Sequence, residues 1–157
     1  MDRTLIEKYV ELATVPAAGI RGLTAQELNS FPVPGTWSVQ QVILHLMDSD
    51  LIGSERMKRV SAMDTPQLLA YDETAFTKNL HYDSLDPAMA CEVFRLNRLM
   101  TGALLRNLPD ATFARGGPHT EHGHVTLEWL VNDYIEHVDH HMKFIKEKRK
   151  VLGKPMD

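Results

Sequence analysis

The chain has 157 residues, 43% of them hydrophobic, with 17 basic and 21 acidic side chains and a formal net charge of -4. That length predicts one domain over 1–157, able to bury about two-thirds of its unfolded surface without covalent staples. The acidic balance argues against a nucleic-acid partner, and the single cysteine, Cys91, excludes an internal disulfide or a thiolate zinc site.

Helical spacing recurs along the chain without convincing strand alternation, so the expected class is all-α. A first helix is expected from Thr4, bent at Pro16, to about Gly22, with Pro32, Pro34 and Gly35 marking the loop that follows. Ser38 and Gln41 form a capping box for a second helix over 39–62. Thr65-Pro66 opens an irregular connection that includes a short helix over 72–79. Asp86-Pro87 is an N-cap with proline at N1, and the third helix carries Ala90, Cys91, Phe94, Thr101, Leu105 and Leu108 on one face until Pro109 stops it. Gly, Pro and His fill a loop between Leu108 and Thr126. Thr126 caps the fourth helix, which ends at Gly153 with Pro155 beyond it, and whose locally basic end complements the helix dipole. Four long helices with apolar stripes predict a four-helix bundle. The opening Met1-Asp2-Arg3-Thr4 has no apolar targeting stretch, and no apolar run reaches the roughly 18 residues that span a bilayer. A soluble cytoplasmic protein with no membrane partner is therefore expected.

The fourth helix holds the most informative pair of side chains. At about 100° per residue, Leu127, Leu130, Tyr134, His137, His141, Phe144 and Ile145 share one stripe, while Asn132, Asp139, Lys143, Lys146 and Lys150 lie opposite. His137 and His141 are thus expected in the middle of the buried face, with His140 on its flank as a neighbour rather than a ligand. Two imidazoles one turn apart suit a metal ion, and buried neutral histidines with hydrogen-bond partners are the alternative. The second helix offers a third donor, because its stripe of Val42, His45, Ser49, Ile52, Val60 and Met63 has His45 at its centre. Facing helices of a bundle can bring His45, His137 and His141 together. Three protein nitrogens with an open fourth position are the catalytic zinc arrangement, and nickel or iron accepts the same ligands.

Several segments, in their order, resemble the DinB-like superfamily and its YfiT-like branch of metal-dependent enzymes. They are Pro34-Gly35-Thr36-Trp37-Ser38-Val39, His45-Leu46-Met47-Asp48-Ser49-Asp50, Tyr71-Asp72-Glu73, Phe94-Arg95-Leu96-Asn97-Arg98, and His119 to Thr126 leading to His137-Val138-Asp139-His140-His141. The resemblance covers nearly the whole chain. It implies an up-down-down-up four-helix bundle, often a homodimer, with a divalent ion, zinc or nickel, held by His45, His137 and His141. Some members of the superfamily transfer low-molecular-weight thiols such as bacillithiol or mycothiol, or isomerise with a thiol cofactor, and others are called hydrolases. The chain departs from many relatives at Lys143-Phe144, where they place a glutamine after the histidine tract.

Other polar residues near the triad each carry two readings. Asp133, one turn before His137, and Asp48, three residues after His45, are candidate catalytic or orienting carboxylates, or else exposed helical acids. Ser49 points more directly inward. Arg56 and Arg98 fall on inward stripes, where a guanidinium needs an internal acid, carbonyls, a wet pocket or an anionic ligand, so both are candidates for substrate binding as well as for structural pairing. His119, His122 and His124 read as solvated or capping residues, and Trp37, Trp129 and the eight methionines as packing. The expected function is a divalent-metal-dependent enzyme whose ion activates a bound thiol or water against a small-molecule substrate, and the resemblance implies that the nucleophile is a low-molecular-weight thiol. Metal-dependent hydrolysis and a non-catalytic metal or small-ligand binding protein are the alternatives.

Overall fold

Side chains that accept the first free backbone amides set where the helices begin, and the computed structural model, which describes residues 2–156, places them as follows. α1 (Thr4–Glu11) runs through a 3-10 turn (Leu12–Thr14) into α2 (Val15–Ile20). The break therefore precedes Pro16, which sits in the first turn of α2, where a missing N–H costs little. α3 (Ala25–Leu28) is a single turn not foreseen from sequence, held by a capping box between Thr24 and Glu27. α4 (Val39–Ala62) starts at the Ser38–Gln41 capping box, and α5 (Glu73–Asn79) starts where the Asp72 side chain accepts from the Ala75 amide. α6 (Pro87–Arg106) ends short of Leu108, and α7 (Leu127–Val151) begins where Thr126 accepts from the Trp129 amide. The α1–α2 rod, α4, α6 and α7 form the four-helix bundle, with α4 packed chiefly on α6 and α7. No helix among the described residues is long and apolar enough to cross a membrane.

The helical class holds with one addition, an antiparallel hairpin of β1 (Gly116–His119) and β2 (Gly123–Thr126). Gly123 closes its turn at a φ of +70°, the left-handed region that a three-residue hairpin loop requires. Only Val125 in the pair contributes to the apolar core, so the strands carry no alternation to read. Gly117 lets the hairpin lie on the 65–70 connection, since a Cβ there would fall 2.0 Å from the Pro66 carbonyl oxygen. Leu68 is stitched to it through Leu68 N–H to Pro118 O at 2.9 Å and Thr120 N–H to Leu68 O at 3.1 Å.

The core divides into two apolar clusters, one around Tyr9, Met57, Leu105 and Leu130, the other around Val42, Ile43, Phe94 and Met142. Arg98, 0% exposed, touches both, with its guanidinium 4.1 Å from the Tyr9 ring centroid and 4.7 Å from that of Phe94. It donates through Nε to Asp50 Oδ1 at 2.8 Å, through Nη1 to the Tyr9 carbonyl at 3.0 Å and through Nη2 to the Tyr134 carbonyl at 2.6 Å. Asn97 Nδ2 donates to Asp50 Oδ2 at 2.7 Å and the Tyr9 hydroxyl to Oδ1 at 3.2 Å. Of the two roles expected of Arg98, structural pairing is the one its contacts match, because its donors are spent inside the bundle on an acid and two carbonyls.

Two further corrections concern stripes. The buried face of α7 centres on Val131, Ile135, Val138, Met142 and Ile145, while Phe144 is 38% exposed and His137 only half-buried. His137 and His141 thus border the apolar face instead of occupying its middle. Of the α4 stripe, Ile52 is half-buried and Met63, just past the helix end, is exposed, whereas His45 is 1% exposed as the stripe implies.

Replacing Arg98 by Met should destabilise the fold by about 3–5 kcal/mol, because Asp50 is left buried and unpaired. Adding Asp50→Asn should recover part of that loss. Urea denaturation of the two single variants and the double variant checks this, and strictly additive losses would contradict a coupled pair.

Candidate metal centre

Three imidazoles converge where α4 faces α7. His45 Nε2 lies 3.1 Å from His137 Nε2 and 3.1 Å from His141 Nε2, and all three nitrogens fall within 4.8 Å of one another. One ring nitrogen has either a single N–H or a single in-plane lone pair, so His45 Nε2 cannot satisfy both neighbours by hydrogen bonding. The spacing does suit a shared cation. Donors about 2.05 Å from one ion stand about 2.9 Å apart at octahedral angles and about 3.3 Å apart at tetrahedral angles, bracketing the observed separations.

Burial prepares the nitrogens chemically. Desolvation is the largest cause of each shift, lowering the pKa of His45 to about 3, of His137 to about 2 and of His141 to about 4, with neighbouring histidines adding to each. All three rings are therefore neutral near pH 7, which a metal ligand requires. Behind the triad, His45 Nδ1 lies 3.3 Å from the Tyr71 hydroxyl, which in turn bonds Ser49 Oγ. With the His45 proton on Nδ1, that chain leaves the Nε2 lone pair pointing into the triad. Trp37 packs on the rings, its centroid 5.0 Å from that of His45 and stacked on His141 at 6.5 Å. His141 Nδ1 is buried with no hydrogen-bond partner among the described residues.

The front of the triad opens to two cavities. One of about 620 Å³ lies between α4, α5, α7 and the hairpin, with Ser49, Arg56, Tyr71, His119, His122 and Asp133 among its walls. The other, of about 510 Å³, is walled by Trp37, Val42, His140, His141, Phe144 and Lys148. His137 and Glu73 line both. Glu73, the first residue of α5, carries the nearest carboxylate, with Oε2 3.6 Å from His45 Nε2. Burial pushes its carboxyl up, and Glu121 and Asp72 reinforce the shift.

Of the residues singled out from sequence, His45, His137 and His141 are brought together, and His140 stays exposed outside them. Ser49 lines the larger cavity and holds Tyr71. Asp133 lines that cavity without a hydrogen bond to His137, its carboxyl raised by burial. The carboxylate of Asp48, expected as a catalytic or orienting acid, accepts from the Tyr82 hydroxyl and makes no hydrogen bond to a triad histidine. Arg56 lines the larger cavity, unlike Arg98. His119 and His122 were read as solvated or capping. His119 does cap the turn, its Nδ1 accepting from the amides of Glu121 and His122, but both rings also wall the cavity. Glu73 was not singled out as a site residue. Its only sequence signal is its place in the Tyr71-Asp72-Glu73 segment.

The fold has counterparts in known proteins. The sequence pattern described as the DinB superfamily matches residues 14–145. A Bacillus subtilis relative named "Putative metal-dependent hydrolase YfiT" is 30% identical over 152 residues, covering 94% of this chain and 85% of its own. A Bacillus licheniformis protein with the same descriptive name is 29% identical, covering 97% of this chain and 89% of its own. The solved YfiT structure, described as "a probable metal-dependent hydrolase with an unusual four-helix bundle topology", superposes with a TM-score of 0.89 at 28% identity, covering 96% of this chain and 86% of that one. The mycothiol-dependent maleylpyruvate isomerase shares the fold at a TM-score of 0.68 and 12% identity, covering 90% of this chain and 60% of that one. With a family match over most of its length and relatives of the same build, the chain belongs to the DinB superfamily.

Proposed function

We propose that His45, His137 and His141 hold one divalent ion, zinc or nickel, and that the protein is a metal-dependent enzyme of the hydrolase type acting on a small molecule. The observation that carries this reading is the convergence of three neutral imidazole nitrogens on a face that opens to a cavity and bears a carboxylate. An ion bound there would lower the pKa of a water or thiol at the open face and supply a nucleophile near neutral pH. Glu73 is placed to take the released proton at Oε2 and to return it to the leaving group. Tyr71 and Ser49 hold the His45 ring, while Trp37 packs against the His45 and His141 rings at the wall of the smaller cavity.

Thiol transfer is the second reading. It is favoured by the two cavities that meet at His137 and Glu73, which leave room for two reactants, a low-molecular-weight thiol and its electrophile. Exposed Met89, Leu96, Leu99 and Met100 along α6 support a homodimer through that face. Asp133, walling the larger cavity beside His137, is the remaining carboxylate proposed to act on substrate.

Elemental analysis should find about one ion per chain in the parent and in His140→Ala, and a large loss in His137→Ala. Glu73→Gln should keep the ion but lose about 100-fold or more in kcat on a panel of esters, amides and thiol–electrophile pairs, the magnitude expected for removing a proton-transfer group. Full occupancy in His137→Ala would refute the ligand set.

The metal-free protein should stay helical at neutral pH, because its two apolar clusters do not depend on the ion. Its histidine pKa values lie below the ordinary 6.5, so below that pH the unfolded chain binds more protons than the folded one. Stability linked to the triad is therefore level above 6.5, falls as pH drops below it and goes on falling through the folded values of about 4, 3 and 2. Thermal melts of chelated protein should drop more steeply over that window than those of a triple His45→Gln, His137→Gln, His141→Gln variant, by roughly 5 °C or more. Equal slopes would show that the triad is not held neutral by burial.

A further inference from the structure

We propose that Arg56 and His119 form an anion subsite at the hairpin end of the larger cavity, seating a single carboxylate of the substrate; this rests on the metal-dependent reading of the triad. Arg56 is 8% exposed and lines that cavity. Its Nη1 donates to the Tyr134 hydroxyl at 2.9 Å and its Nη2 to the Leu69 carbonyl, while Nε is buried with no acceptor. Among the described residues no carboxylate pairs with it. Arg98 is buried to a similar degree but has Asp50 at 2.8 Å. A desolvated guanidinium with only neutral acceptors keeps its full charge for an incoming anion.

His119 supplies a second donor. It is the last residue of β1, 6% exposed, and its Nδ1 accepts from the amides of Glu121 at 3.2 Å and His122 at 3.4 Å. A neutral imidazole whose Nδ1 accepts must carry its proton on Nε2, and that N–H has no acceptor among the described residues. Burial and the Arg56 charge lower the His119 pKa, which keeps the ring neutral, and the two amides at Nδ1 fix this tautomer. Both donors wall the same cavity as His137.

The same cavity also carries Asp72, Glu73, Glu121 and Asp133. Their field opposes an anion at long range, so binding depends on direct hydrogen bonds to the two donors and favours one negative charge over two. Tyr134, which Arg56 touches, precedes His137 by three residues, about 4.5 Å along the helix axis. The carboxylate is therefore separated by several bonds from the atom that reacts at the triad.

The test is calorimetric titration of the zinc-loaded protein with ω-mercaptocarboxylates, from 3-mercaptopropionate to 6-mercaptohexanoate, and with the matching neutral amides. The parent should bind at least one acid about tenfold or more tighter than its amide. Arg56→Met should abolish that preference and leave amide affinity within about threefold. His119→Asn keeps a side-chain acceptor for the two amides of the turn but removes the Nε2 donor, and should lose part of the preference. It carries the test if Arg56→Met fails to fold. Equal binding of acid and amide by the parent at every length, or a preference that survives in the folded variants, overturns the subsite while leaving the metal reading intact. Binding of neither acids nor amides by the zinc-loaded parent overturns the subsite, whereas failure of the parent to take up about one zinc per chain overturns the metal reading beneath it.

Discussion

One buried guanidinium ties all four long elements of the bundle together. Arg98 projects from α6 and is hydrogen-bonded to Asp50 on α4, the Tyr9 carbonyl on α1 and the Tyr134 carbonyl on α7. Apolar contact alone is non-directional and tolerates sliding of one helix along another. A fork of donors with three acceptors does not, because any shift leaves a charge or a carbonyl unpaired in the core. His45 lies five residues before Asp50 and His137 three after Tyr134. The interaction that sets the register of α4 against α7 therefore also sets the distance between the histidines. Gly53 contributes to the same contact, since a Cβ there would stand 2.3 Å from the Tyr134 ring.

The triad occupies the border of the buried face, where two opposing needs are met. Its nitrogens must be desolvated enough to remain unprotonated and held by packing, which the aromatic wall of Trp37 and the Tyr71–Ser49 chain provide. A centre in the middle of the apolar stripe would be cut off from any substrate. Rotated to the edge, His137 reaches both cavities, and His45 stays almost fully buried within reach of Glu73.

Arg56 and Arg98 show how little residue type and stripe decide about role. Both lie on inward faces and both are buried. Arg98 meets an acid and becomes part of the scaffold, whereas Arg56 meets a phenol and a carbonyl at a cavity wall and has no carboxylate paired with it. The partner is supplied by another helix at large sequence separation, and neither local spacing nor hydropathy encodes it.

Local chemistry in the sequence determined the long helices, because Ser38, Asp86 and Thr126 cap them through contacts within three residues, and the positions of His45, His137 and His141 follow from helical period. The order of the segments was enough to indicate the family. Tertiary structure alone decided what depends on distant partners. The hairpin was illegible because six of its eight strand residues are glycine, proline or histidine, and it persists by lying on the 65–70 connection. The true centre of the α7 stripe was displaced because helical period gives relative angles, while the absolute direction of the core comes from the packing of α4 and α6. Asp48 fell to Tyr82, and Glu73 entered the site from a short helix, because carboxylates near one another in sequence are sorted by where neighbouring elements cross, which no local rule contains.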